Sequence, residues 1–292
     1  MPDPFYQQPP QPQPLPPSQP QQRQPPPNTL GQRLKRLFAP ILVALATAGK
    51  WVLPALKFGL PMLKMGGSMI IALVIYSWAF GWQFAVGFII LLFIHEMGHL
   101  IAAKMVGLKV TLPFFIPFLG AVIALKEAPR NAWIEAIIGI GGPLLGSIGA
   151  FAVACGYFLT GKEIFLVLGY TGMFLNLFNL VPIVPLDGGR IVSAISPWLW
   201  VLGLLILVPY LIWRASMGGV VNGTVSFVIL LIVLSSFRRV MALFRRRSQM
   251  QMRYFECTPT QRCVMALLYF SLLASLYLGM GFIKNLMPPG AF

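Results

Sequence analysis

Charge is scarce in this chain, and acidic charge most of all. Only 7 of its 292 residues are Asp or Glu, and 10% are charged against 57% hydrophobic. A soluble domain carries about 25% charged residues, so the deficit excludes an ordinary water-facing surface. Histidine occurs twice and cysteine three times. Cys155, Cys257 and Cys263 are odd in number and lack metal-site spacing, which excludes a disulfide framework and predicts free reduced thiols. Cys155 lies in an apolar run and is expected to be a small core residue. The net charge of +15 does not imply a nucleic-acid partner, because the Lys and Arg sit in short stretches between apolar runs. That is the positive-inside pattern of a chain whose partner is the lipid bilayer.

Long apolar runs are what the chain has in abundance. About 20 apolar residues cross a bilayer core. Candidate spans fall at 67–81, 83–106, 133–159, 163–182, 197–213, 223–241 and 264–283. The expected fold class is an all-α polytopic membrane protein of about seven transmembrane helices. Residues 1–37 form a Pro/Gln-rich tail and a basic stretch with Arg33, Lys35 and Arg36. The tail has no apolar h-region and cannot bury a core, so it is expected to be disordered or polyproline, with the first span as the insertion signal. Residues 38–66 are apolar but broken by Pro40, Pro54 and Pro61 and dotted with Lys50, Lys57 and Lys64, which suits an amphipathic surface segment or a membrane hairpin. Residues 67–292 are expected to form one membrane-embedded domain.

Loop charge sets the expected orientation. With the basic amino-terminal region in the cytosol, the loops at 107–132, 183–196 and 242–263 are cytosolic, and they and their span ends hold most of the Lys and Arg. The opposite loops carry only Lys162, Arg214 and Lys284. The expected location is the cytoplasmic (inner) cell membrane, with a cytosolic amino terminus.

Both histidines stand in one motif, His95-Glu96-Met97-Gly98-His99, near the end of the second span. On a helix His95 and His99 are one turn apart on one face, so both imidazoles can reach one ion while Glu96 acts on a water. An ionisable cluster at membrane depth is expensive unless it is paired or functional. A catalytic zinc site takes three protein ligands. With no third histidine and no well-placed cysteine, a carboxylate is expected. Among the few acids, Asp3 is in the tail, Glu127 and Glu163 fall in loops, Glu135 starts a span and Glu256 lies in an arginine-rich loop. Asp187 remains, in Asn179-Leu180-Val181-Pro182-Ile183-Val184-Pro185-Leu186-Asp187-Gly188-Gly189-Arg190. Pro182 and Pro185 break the helix there, and irregular backbone at membrane depth requires a non-lipid pocket. Read alone, Asp187 could equally cap the next helix. The histidines and Asp187 both come out toward the cytosolic side.

The His-Glu-Met-Gly-His motif, followed by Gly141-Gly142-Pro143 and then by Asn179-x-x-Pro182-x-x-Pro185-Leu186-Asp187-Gly188-Gly189, resembles the site-2 protease family of intramembrane metalloproteases. The resemblance covers about residues 80–195 and implies a three-helix catalytic core. It implies one Zn2+ per chain, held by His95, His99 and Asp187, with Glu96 activating water. It places Asn179, Pro182 and Pro185 near the substrate backbone, with Asn179 also a candidate donor to the developing oxyanion. It further implies a membrane-associated strand or re-entrant loop at Leu112–Gly120 that holds the substrate extended, where the residues alone would equally allow a surface connector. Neither a PDZ-like module nor a pair of nucleotide-binding domains is legible. The expected function is hydrolysis of peptide bonds in single-span or other membrane proteins near the cytosolic side of the bilayer. The competing readings are a metal transporter, which should distribute polar residues across the membrane depth, and a non-catalytic relative that binds membrane proteins.

Overall fold

The computed structural model describes residues 59–117, 120–216, 233–241, 243 and 253–288. The tail, the segment 38–58 and most of the expected span at 223–241 lie outside them.

Among the described residues, four helices are long and apolar enough to cross a membrane: α1 (Gly59–Phe80), α2 (Trp82–Met105), α3 (Ala132–Thr160) and α8 (Pro259–Leu286). Between them come the shorter α4 (Ile164–Asn179), α5 (Asp187–Ile195) and α6 (Leu199–Ser216), and a helical stretch α7 at 233–241. Their outward faces are apolar: Ile70, Trp78, Phe158, Leu205, Leu267 and Phe282 are all exposed. His95, Glu96, His99, Asn176 and Asp187 are buried instead. Water would penalise that distribution and lipid favours it. The chain is a membrane protein.

The first span is longer than its hydropathy window suggested, since α1 begins at Gly59 and absorbs the end of the expected surface segment. Gly81, at φ 86°, links α1 to α2. Tyr76 meets Phe88 edge-on, and Ala72 shares a buried cluster with Ala85, Ile89 and Leu92.

Small residues bring the central helices together, as membrane packing requires in the absence of a hydrophobic force between helices. A Cβ on Gly98 of α2 would lie 2.1 Å from the Gly141 carbonyl oxygen of α3. Gly149 of α3 faces Ile94 of α2, so the two helices run antiparallel. Down the α3–α4 pair, Gly156 meets Phe165, Ala154 meets Gly169 and Asn176 meets Gly146, again antiparallel. The joint between them is Gly161 in the left-handed region, φ 67°, its N–H bonded to the Tyr157 carbonyl. α8 then packs against α4, with Gly279 beside Met173 and the Tyr269 hydroxyl donating to the Leu180 carbonyl at 2.6 Å. Its start is fixed by a capping box, Thr258 with Gln261, and by Pro259.

Three local features refine the sequence reading. The loop after α2 contains a β-hairpin, β1 (Phe114–Ile116) antiparallel to β2 (Gly120–Val122) with Phe115 opposite Ala121. Phe115 is buried in the α1–α2 cluster, and its N–H is accepted by Ser68 of α1 at 3.1 Å. The segment at 183–196, expected as a loop, is mostly α5, and Asp187 is its first residue rather than a cap, with Leu186 at the N-cap position. Cys155 is exposed on α3, so it is not a core residue; the three cysteines are free. Apolar sequence at a helix position does not distinguish a core face from a lipid face.

Candidate metal centre

α2 carries His95 and His99 one turn apart, and both rings point inward. Each is oriented by its Nδ1. His99 Nδ1 lies 2.7 Å from the Ile138 carbonyl oxygen of α3, an acceptor only, so the proton is on Nδ1. His95 Nδ1 lies 2.8 Å from Asn176 Oδ1 of α4, and the Asn176 amide nitrogen donates to the Gly172 carbonyl at 2.7 Å. The amide is thereby turned so that its oxygen accepts from His95. Both imidazoles then present Nε2 lone pairs to the same point.

Asp187 closes the group from the start of α5. Its Oδ2 is 3.3 Å from His95 Nε2 and 3.1 Å from His99 Nε2, and the two Nε2 atoms are 3.1 Å apart. Three acceptors converging this closely, with both Nδ1 protons already committed, require positive charge between them. Tetrahedral zinc, with bonds of about 2.0–2.1 Å, separates its ligands by roughly 3.3 Å. The donor set fits a divalent metal in chemistry and in spacing, and among the described residues no other group of this kind is found.

The backbone that carries Asp187 is held from several sides. α4 stops at Asn179, after only 16 residues. At 1.5 Å per residue it spans about 24 Å, less than a bilayer core of about 30 Å. The chain then turns irregularly through residues 180–186, with Val184–Pro185 cis, before α5 begins. Carbonyls of this turn and of α5 accept hydrogen bonds from side chains. Tyr269 donates to Leu180, Ser236 donates to Val184, the Trp200 indole N–H donates to Gly189 at 2.7 Å, and Arg262 donates to Ile195 at 2.9 Å. Gly188 and Gly189 press on this turn so closely that a Cβ on either would meet its backbone at 2.1 and 2.5 Å.

A cavity of about 540 Å³ opens onto the cluster. Its walls include His95, His99, Asp187, Glu96 and Arg190, the strand residues Gly120–Val122, and apolar Tyr76, Phe88, Leu92 and Phe178. Asn179 and Pro185 also line it, whereas Pro182 is not among its lining residues. Asn176, Glu135 and Tyr254 were missed by the sequence reading. Glu135, expected only as the start of a span, is buried and accepts a hydrogen bond from Tyr254. Burial, and next the Glu135 charge and hydrogen bond, push the Tyr254 hydroxyl well above the ordinary tyrosine range, so it stays a donor. The available signal was polarity itself, since Asn or Glu within an apolar helix calls for a partner.

The sequence model of the Peptidase family M50 matches residues 83–164 and 159–200, the stretch that builds this cluster. Residues 83–200 of the chain match peptidase family M50. This is the site-2 protease family that the motifs resembled. Relatives include the zinc metalloprotease MJ0392 of Methanocaldococcus jannaschii, 36% identical over 115 residues, which are 36% of this chain and 33% of that one. A candidate zinc metalloprotease of Synechocystis, sll0528, is 30% identical over 35% of this chain and 28% of its own length. A candidate chloroplastic zinc metalloprotease of Oryza sativa, EGY2, is 26% identical over 35% and 27%. The matched stretch thus spans about a third or less of each relative.

Proposed function

We propose that the chain is an intramembrane zinc metalloprotease that hydrolyses peptide bonds of membrane-protein substrates near the cytosolic side of the bilayer. The observation that carries this reading is the convergence of three buried acceptors, His95 Nε2, His99 Nε2 and Asp187 Oδ2, on the wall of a cavity that Glu96 also lines. His95, His99 and Asp187 would hold one zinc ion. When bound, zinc supplies Lewis-acid polarisation of a carbonyl and lowers the pKa of a water. Glu96, on α2 beside His95, takes a proton from the attacking water and later delivers it to the leaving amine nitrogen. Asn176 and the Ile138 carbonyl keep the imidazole lone pairs aimed at the ion throughout. The match to the M50 family model and the names of the relatives support the activity.

A helical substrate ties up its own amides and shields the scissile bond, so the substrate must enter extended. β2 lies along the cavity wall and can offer backbone partners to such a strand. Asn179 and Pro185 stand on the same wall, suited to line the substrate backbone, and Pro182 shapes the turn before them. Single-span proteins whose helices unwind at Gly, Asn or Pro fit these demands. Seven spans with a cytosolic amino terminus, in the cytoplasmic membrane, are the topology we assign. Water then reaches the centre from the cytosolic ends of α2 and α4.

The test is cleavage of a panel of single-span membrane proteins by the purified chain in detergent. Wild type should cleave at least one member, a chelator should stop it and zinc should restore it. Glu96→Gln should lower the rate by about 10²- to 10⁴-fold, the share usual for a general acid–base, while zinc content stays unchanged. Chelator-insensitive cleavage, or full activity in Glu96→Gln, would contradict the mechanism.

A further inference from the structure

Arg190 stands one turn after Asp187 on α5 and reaches the cavity wall. Its Nη1 is 3.9 Å from Asp187 Oδ1, and its Nε is 3.8 Å from Glu135 Oε1. These are ion-pair distances rather than hydrogen bonds. Asp187 Oδ2, the other oxygen, meets both imidazoles. The two oxygens of one carboxylate therefore face different partners. Glu135 is divided in the same way: Oε1 faces Arg190, and Oε2 accepts from the Tyr254 hydroxyl at 2.5 Å. A chain of buried and half-buried groups runs from the segment before α8, through the start of α3, to the candidate metal ligand.

The geometry points to Arg190 as a positioning residue that reserves Oδ1 of Asp187, so that the carboxylate offers a metal only Oδ2, with Glu135 and Tyr254 bracing the guanidinium. The inference deepens the zinc-centre reading and rests on it. A carboxylate free at both oxygens can turn about its Cβ–Cγ bond and chelate a cation with both. The second oxygen would then occupy the open position that a catalytic site keeps for water or substrate. A fixed positive charge on the Oδ1 side opposes that rotation. Arginine suits the task because its planar fork can face two carboxylates at once and it stays charged. Glu135 gives the guanidinium a partner away from Asp187, and Tyr254 completes the solvation of Glu135, without which a buried carboxylate is costly.

The experiment uses the full chain in detergent, loaded with cobalt(II) in place of zinc, and reads the visible absorption per cobalt. A four-coordinate cobalt site absorbs more intensely than a five-coordinate one. Arg190→Gln should at least halve the intensity, because the freed carboxylate adds a fifth donor. Arg190→Lys should recover part of the intensity, because it returns charge near Oδ1. Tyr254→Phe and Glu135→Gln should shift the spectrum in the same direction by a smaller amount, which keeps the test decisive if Arg190→Gln fails to fold. A wild-type spectrum in Arg190→Gln overturns the inference, as do unchanged spectra in both brace variants. A wild-type chain that takes up no cobalt and no zinc would instead sink the metal-centre reading itself.

Discussion

At the scale of single residues, the centre depends on hydrogen bonds that aim two rings. Asn176 is the partner of His95 Nδ1, and it is buried on α4, far from the histidines in sequence. Asn176→Leu fills similar space but leaves the ring unanchored. Zinc affinity should fall by about 10- to 100-fold, measured by chelator competition, with helix content unchanged. Gly142 makes a sharper case, since a Cβ there would lie 2.2 Å from His99 Nε2. Gly142→Ala should displace the ring and lose stoichiometric zinc, checked by metal analysis of the purified variant. His95, Glu96 and His99 could be read from the sequence because helix geometry alone puts them together. Asp187 could be reached because the chain has so few acids. Asn176 and Arg190 could not be assigned partners, because their contacts are set by how α3, α4 and α5 pack.

Among the elements, the segment from the end of α4 to α5 matters most, because it ends α4 after 16 residues and brings a carboxylate to α2. The prolines announced that break, but hydropathy ran the fourth span to 182, whereas the helix ends at 179. α5 was not legible as a helix: nine residues are too few to show a clear period, and Gly188-Gly189 reads as a turn. The break is stabilised by side chains from elements outside the family-matched stretch, Tyr269 of α8 foremost. Tyr269→Phe leaves the buried Leu180 carbonyl without that donor and should cost about 1–3 kcal/mol, read as a lower unfolding temperature in detergent. The hairpin rests on α1 through Ser68. Ser68→Ala should speed amide exchange at Phe115 while exchange in α3 stays as in wild type. Equal exchange at Phe115 in both proteins would show that the hydroxyl does not anchor the strand.

Over the whole molecule, composition gave the solvent, and loop charge carries the proposed orientation. α3 separates Lys126 and Lys162, both exposed, at its opposite ends. Single cysteines placed there, in a chain cleared of its native thiols, should react from opposite sides with a membrane-impermeant thiol reagent, Lys126→Cys from the cytosol and Lys162→Cys from outside. The reverse pattern would invert the topology and put the site on the other leaflet. The account as a whole stands on one ion shared by two distant parts of the chain. X-ray absorption at the zinc edge of the purified protein tests this most directly. It should show one zinc per chain with nitrogen and oxygen neighbours at about 2.0–2.1 Å and the scattering pattern of two imidazoles. A sulfur shell, a single imidazole, or protein that purifies without zinc and cannot be loaded would contradict it.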